Sequence, residues 1–172
     1  MTDWHEIISI HEAMLWRTVY RVLNHRDDAL DCCQEALLDA YKYALNHEVD
    51  DWGALLTSLA TRRAIDRLRK RVRARQILVS LNDAPEPATD ADCPVQRAQA
   101  SELMDRLRNV LAELPDKQAE VFWLGCVEGL SHEQIGLQLT ISPNESRVLL
   151  HRARLQLAST LDSRHFDARR TT

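Results

Sequence analysis

The stretch that decides the fold is Ser131-His132-Glu133-Gln134-Ile135-Gly136-Leu137-Gln138-Leu139-Thr140-Ile141-Ser142-Pro143-Asn144-Glu145-Ser146-Arg147-Val148-Leu149-Leu150-His151-Arg152-Ala153-Arg154. It holds two helix starts, eleven residues apart. Ser131 is followed three residues on by Gln134, and Ser142 by Pro143 and then Glu145. Both are capping boxes, in which the serine accepts from an orphan backbone N–H and the long side chain returns to the cap. The spacing predicts a short helix over 131–139, a tight turn over 140–142 and a longer helix over 143–160. Ile135, Leu139 and Ile141 fall in the angle between the helices. Leu150, Ala153, Leu157 and Leu161 continue the inner face. This is helix-turn-helix spacing, with the second helix available for a DNA major groove. That helix opens with Pro143. Asn144, Glu145 and Arg147 then lie where bases are read in such motifs, and His151 and Arg152 add donors suited to phosphate.

Upstream, the chain reads as further helices. Apolar spacing of three and four marks one over Trp4, Ile7, Ile8, His11, Met14, Leu15, Val19, Val22 and Leu23. A second starts at Asp27-Asp28, with Leu30, Cys33, Leu37, Tyr41 and Ala44 as its apolar stripe. The other side of this helix shows Asp28, Asp31, Gln34, Glu35 and Asp39, either a solvated face or a docking surface. A third runs from about Trp52 through Leu55, Leu56, Leu59, Ala60, Ala64 and Leu68 into a basic island. Residues 62–75 hold eight Arg and Lys against one Asp, a local charge of +7 in a chain whose net charge is −4. Cations at that density repel one another unless a polyanion compensates them, which points to nucleic-acid contact through counterion release. Asp66, four residues from both Arg62 and Lys70, is expected to order the helix. Residues 80–94 contain three of the five prolines and four acids, the composition of an extended linker. Beyond it lie a long helix with Leu103, Leu107, Val110, Leu111 and Leu114 and, after Pro115, a short one with Val121, Phe122 and Leu124.

The composition of the 172 residues agrees with an all-α chain. Apolar residues make up 45%, charged residues 28%, and there are only 4 Gly and 5 Pro. No apolar run approaches the roughly 20 residues needed to cross a membrane, and the N-terminus has no signal-peptide pattern. A cytoplasmic protein without membrane insertion is expected. Cys32, Cys33, Cys93 and Cys126 form no CxxC, so reduced thiols, mostly buried, are expected beside a redox alternative at Cys32-Cys33. The sites His5-Glu6, His11-Glu12 and His132-Glu133 each lack the second histidine of an HExxH zinc motif. Phosphate-cradling glycine loops and nucleophile elbows are absent from the sequence. Nothing in it supports enzyme chemistry, a cofactor or a metal.

Taken in order, these parts resemble a bacterial RNA polymerase sigma factor of the extracytoplasmic-function (ECF, group IV) subgroup. Residues 27–40, DDALDCCQEALLDA, are similar to the family's DAEDLVQEVFLRA stretch. Residues 52–69, WGALLTSLATRRAIDRLR, resemble its FRAWLLRIARNLAIDRLR. In the last third, LPDKQAEVF (114–122), EGLSHEQIG (128–136) and HRAR (151–154) follow its LPxxxREVF, EGLSxEEIA and HRAR. The resemblance runs from about residue 10 to 161. It implies two small helical domains joined by a flexible linker: sigma region 2 over 1–78, a linker over 79–96, region 4 over 97–163 and a tail over 164–172. The protein it implies is not an enzyme but an initiation factor that directs RNA polymerase core to specific promoters.

The resemblance also assigns roles. Asp31, Gln34, Glu35 and Leu38 would dock on the β′ clamp of the polymerase core, and region 4 would meet the β flap. Arg62, Arg63, Arg67, Arg69, Lys70 and Arg71 would contact the −10 promoter element. Pro143, Asn144, Glu145, Arg147, His151 and Arg152 would contact the −35 element. An anti-sigma factor is a further candidate partner. Four departures stand out. Ser146 replaces a buried aliphatic, and Leu149 replaces a cation expected to face phosphate. Gly136 replaces an alanine at a helix cost of about 1 kcal/mol, and Thr140 stands where the turn often has glycine. Rival readings are a stand-alone helix-turn-helix transcription regulator and a sigma-like protein-interaction module with degraded DNA binding.

Overall fold

Short polar side chains start most of the helices by accepting the backbone N–H groups that the first turn leaves orphaned. Asp3 accepts from His5 and Glu6, Asp51 from Ala54 at 2.9 Å, and Ser142 from Glu145 at 3.0 Å. Ser131 and Gln134 complete the reciprocal box expected of them. The helix expected to start at Asp27 starts one residue earlier, because the ring of His25 accepts from the Asp28 N–H. The computed structural model describes residues 3–80 and 95–167, with side chains over 3–78 and 102–160.

Among the described residues there are seven helices and no strand. They are α1 (Trp4–Leu23), α2 (Arg26–Ala44), α3 (Trp52–Ser80), α4 (Val95–Glu113), α5 (Asp116–Cys126), α6 (His132–Leu139) and α7 (Pro143–Asp167). The fold is all-helical. Helix α3 extends to Ser80 and α4 begins at Val95, which leaves residues 81–94 of the expected linker, with Cys93, outside the described residues. Helix α7 continues past the end expected at 160, and the tail beyond 167 also lies outside them.

In the N-terminal unit α1 and α2 both pack on α3. Helix α2 buries Ala29, Cys32, Ala36 and Ala40, the face one position round from the expected stripe. Leu30 and Tyr41 of that stripe are 45% and 47% exposed, while Cys33 and Leu37 sit at the rim of the core. Small side chains let helix axes approach closely, so the closest packing selects the alanines and leaves the bulkier residues outside. In the C-terminal unit a second cluster of Val121, Leu124, Ile135, Ile141 and Leu150 fills the angle of the helix-turn-helix. The two units expected from the sequence are both present, and they share one continuous apolar cluster. Val19, Val22 and Leu56 from the first unit belong to it together with Leu111, Leu114, Trp123 and Leu157 from the second.

Candidate nucleic-acid and polymerase interfaces

The helix-turn-helix closes tightly. Thr140 ends α6 in the left-handed region, φ 54°, a conformation that costs a non-glycine residue about 1–2 kcal/mol. The turn is secured by Ile141 N–H donating to the Gly136 carbonyl at 3.0 Å. A Cβ at Gly136 would stand 2.7 Å from the Ile141 carbonyl oxygen. The glycine therefore has a steric reason that outweighs its poor helix propensity. Ser146 is fully buried, facing inward as the aliphatic residue it replaces would, and its hydroxyl meets His132 Nδ1 at 2.9 Å.

Leu149 does not occupy a phosphate-facing position. It is half-buried against the Val121–Leu150 cluster, and Val148 is the exposed neighbour at 41%. The helix keeps the expected register, so the absence of a cation at 149 reflects packing. The outer face of α7 presents Pro143, Asn144, Glu145, Arg147, His151 and Arg152, all exposed, at and after the capped N-terminus. Arg147 lies 3.5 Å from Glu133 on α6. Hydrogen bonds from its own backbone N–H and from the Ser131 hydroxyl hold the Glu133 carboxyl below the usual range, with Arg147 adding to the effect.

On α3 the cations divide into two groups. Arg62 and Lys70 are exposed, as are Arg73 and Arg75. The others are engaged within the chain. Arg63 donates through Nε to Asp39 at 2.6 Å and lies 3.5 Å from Glu35; the Asp39 hydrogen bond raises its already high pKa. Arg67 lies among Asp28 (3.4 Å), Glu35 (3.4 Å) and Asp31 (3.8 Å). Arg71 donates to the Leu23 carbonyl at 2.9 Å and pairs with Asp28 at 3.5 Å; burial lowers its pKa more than Asp28 raises it. Arg69 is 8% exposed and donates to the carbonyls of Ala112 (3.3 Å) and Leu114 (2.8 Å) and to Asp116. The charge density that called for a polyanion is therefore partly met by the acidic face of α2. Asp66 pairs with Arg69 at 3.7 Å, one turn away, instead of with Arg62 or Lys70.

On α2, Asp31, Gln34 and Leu38 point outward, and Leu38 is 59% exposed. Glu35 is turned into the arginine network. Beside them lies a shallow apolar groove lined by Ile8, Trp16, Leu30, Cys33 and Leu37. Cys32 is buried and donates to the Arg63 carbonyl, and burial pushes both Cys32 and Cys33 up to about 11. At neutral pH both are thiols, which favours the packing role over the redox one. No group of three or more His, Cys, Asp or Glu side chains that could hold a metal occurs among the described residues.

Family comparison matches residues 7–74 to sigma-70 region 2 and residues 104–157 to sigma-70 region 4. The chain is similar over nearly its full length to sigma factors of one subgroup. It is 29% identical over 161 residues to the ECF RNA polymerase sigma factor SigE of Mycolicibacterium smegmatis. It is 26% identical over 166 residues to the ECF RNA polymerase sigma factor SigW of Bacillus subtilis. The chain belongs to the ECF sigma factors. The matches cover 94% of it against SigE and 91% against SigW, but 62% of SigE and 87% of SigW. This ECF sigma factor also shares its fold with RpoE of Bartonella quintana, crystallised with the anti-sigma factor NepR. That likeness has a TM-score of 0.57 at 21% identity, covering 94% of this chain and 98% of the other. Members of the family are not enzymes.

Four residues of consequence escaped the reading of the sequence: Thr18, Arg108, Glu128 and His132. Each acts through a partner 14 or more positions away. No local pattern announces such pairs.

Proposed function

We propose that this ECF sigma factor gives RNA polymerase core its promoter specificity. The observation that carries the proposal is the exposed row Asn144, Glu145, Arg147, His151 and Arg152 on a helix whose N-terminus is capped and open to solvent. Side chains at that end of a recognition helix reach base edges, and the unsatisfied N–H groups favour phosphate. Helix α3 contributes the −10 contacts, led by Arg62 and Lys70, with Arg63, Arg67, Arg69 and Arg71 joining once released from their present partners. Asp31, Gln34, Glu35 and Leu38 dock on the β′ clamp, and region 4 meets the β flap. In this reading the protein works beside the polymerase in the cytoplasm. No helix among the described residues is long and apolar enough to cross a membrane.

The experiment is run-off transcription with purified core polymerase, the full chain and a promoter library. Transcripts from a restricted set of promoters, dependent on both chain and core, are expected. Tight, site-specific duplex binding by the chain alone, with no chain-dependent transcript, would instead identify a stand-alone regulator.

A further inference from the structure

Two links join α6 to α7 side by side. The Ser146 hydroxyl meets His132 Nδ1 at 2.9 Å, and the next residue on each helix makes the second link, Arg147 Nη2 to Glu133 Oε1 at 3.5 Å. Ser146 is fully buried, so the first link fixes the register in which the second pair meets. Glu133 is itself anchored at the start of α6, where its own backbone N–H and the Ser131 hydroxyl donate to its carboxylate. The acid therefore stands at a set position beside Arg147. The other basic residues of the outward row, His151 and Arg152, have no such partner among the described residues.

The pair adds little to stability. Its side chains are 55% and 65% exposed, and water screens exposed ion pairs. Its importance lies at the DNA surface. An arginine near the start of a recognition helix has two competing targets, a base edge and a backbone phosphate, and only the base carries sequence information. A carboxylate beside the guanidinium biases that choice in two ways. It takes one N–H and so holds the plane of the group, which leaves the remaining donors to chelate a base edge such as O6 and N7 of guanine. It also repels any phosphate that approaches the same guanidinium, and a penalty on the wrong contact is a source of specificity in its own right. Both effects strengthen when DNA covers the pair and excludes water.

We propose that Glu133, which lies on α6 and outside the recognition helix, is a positioning residue that sets sequence discrimination by aiming Arg147 at a base edge and away from phosphate. The proposal rests on the promoter-reading function above and adds a specificity residue to it.

The test uses holoenzyme assembled from core polymerase and the full chain. The probe is the strongest promoter from the run-off library, varied one base pair at a time across its −35 element. Binding is read by fluorescence anisotropy at several salt concentrations. Arg147→Ala should flatten the preference at one base pair. Glu133→Gln should lower the preference at that same base pair at least fivefold, while raising affinity for the non-preferred variants. It should also steepen the fall of log affinity with log salt by about 0.9, the signature of one added phosphate contact on duplex DNA. A purely structural loss would do neither, since it weakens every sequence alike. In the Arg147→Ala background, Glu133→Gln should change the base preference no further. Unchanged preference and salt slope in Glu133→Gln, beside a clear effect of Arg147→Ala, would overturn the proposal and leave the function standing. So would a uniform loss of affinity with a lowered Tm, or an equal effect of Glu133→Gln when Arg147 is absent. A base preference untouched by Arg147→Ala would remove Arg147 from the base readers and the proposal with it. Absence of any chain-dependent promoter binding would overturn the promoter-reading function itself.

Discussion

Replacing His132 by alanine should harm the protein more than replacing His132 and Ser146 together. Ser146 is fully buried, and its hydroxyl is bonded to His132 Nδ1 at 2.9 Å. Loss of the imidazole leaves that hydroxyl buried without its partner, which costs about 1–3 kcal/mol. Loss of the hydroxyl alone is milder, because the half-buried ring remains within reach of water. Ser146→Ala should therefore cost about 0.5–1.5 kcal/mol, the net worth of one hydrogen bond. In the His132→Ala background the same change removes the orphan, and it should restore about 1 kcal/mol. For a chain of this size 1 kcal/mol corresponds to about 2–4 °C in Tm. Thermal unfolding of the full chain, followed by circular dichroism at pH 7.5, should rank the double variant above His132→Ala by a few degrees. A double variant less stable than His132→Ala would refute the reasoning, since the hydroxyl would then be satisfied elsewhere. Because the pair joins α6 to α7, His132→Ala should also weaken −35 binding without touching a DNA contact.

Gly136→Ala gains about 1 kcal/mol of helix propensity but pushes a methyl to 2.7 Å from the Ile141 carbonyl; overpacking of about 1–3 kcal/mol should prevail, and a raised Tm would show that the turn yields freely. Leu149→Arg should destabilise the chain by about 1 kcal/mol through lost burial and leave DNA affinity unimproved; a uniform gain across DNA sequences, read by fluorescence anisotropy, would return residue 149 to the phosphate-facing set. Cys32 and Cys33 stand at about 11 in the folded chain against 9.0 for a free thiol, so the native state keeps protons that the unfolded chain has lost. Their stabilising effect is complete below pH 9 and fades as pH rises from 9 to 11; for Cys32 it amounts to about 3 kcal/mol, and Cys32→Ala should flatten that slope in urea titrations at graded pH. An alkylating reagent at pH 7.5 should modify exposed Cys126 well before either.

The sequence by itself determined the features whose physics is local. Capping boxes operate over three residues and amphipathic faces over three or four. Ser131, Ser142 and the spacing of Ile135, Ile141 and Leu150 therefore announced the helix-turn-helix before any contact was known. The outward row from Asn144 to Arg152 followed from the same register. Tertiary structure decided what depends on distant partners. It turned α2 by one position, because Ala29, Ala36 and Ala40 pack closer to α3 than Leu30 or Tyr41 would allow. It placed Asp39 and Glu35 against Arg63, 24 and 28 positions apart, so the basic island and the acidic helix neutralise each other. It also made Leu149 a packing residue and gave Ser146 a partner in His132. The tie from Thr18 to Glu128 spans 110 positions. A hydrogen bond across that distance exists only after the chain has folded, and the residues that make it carry no mark of it in sequence.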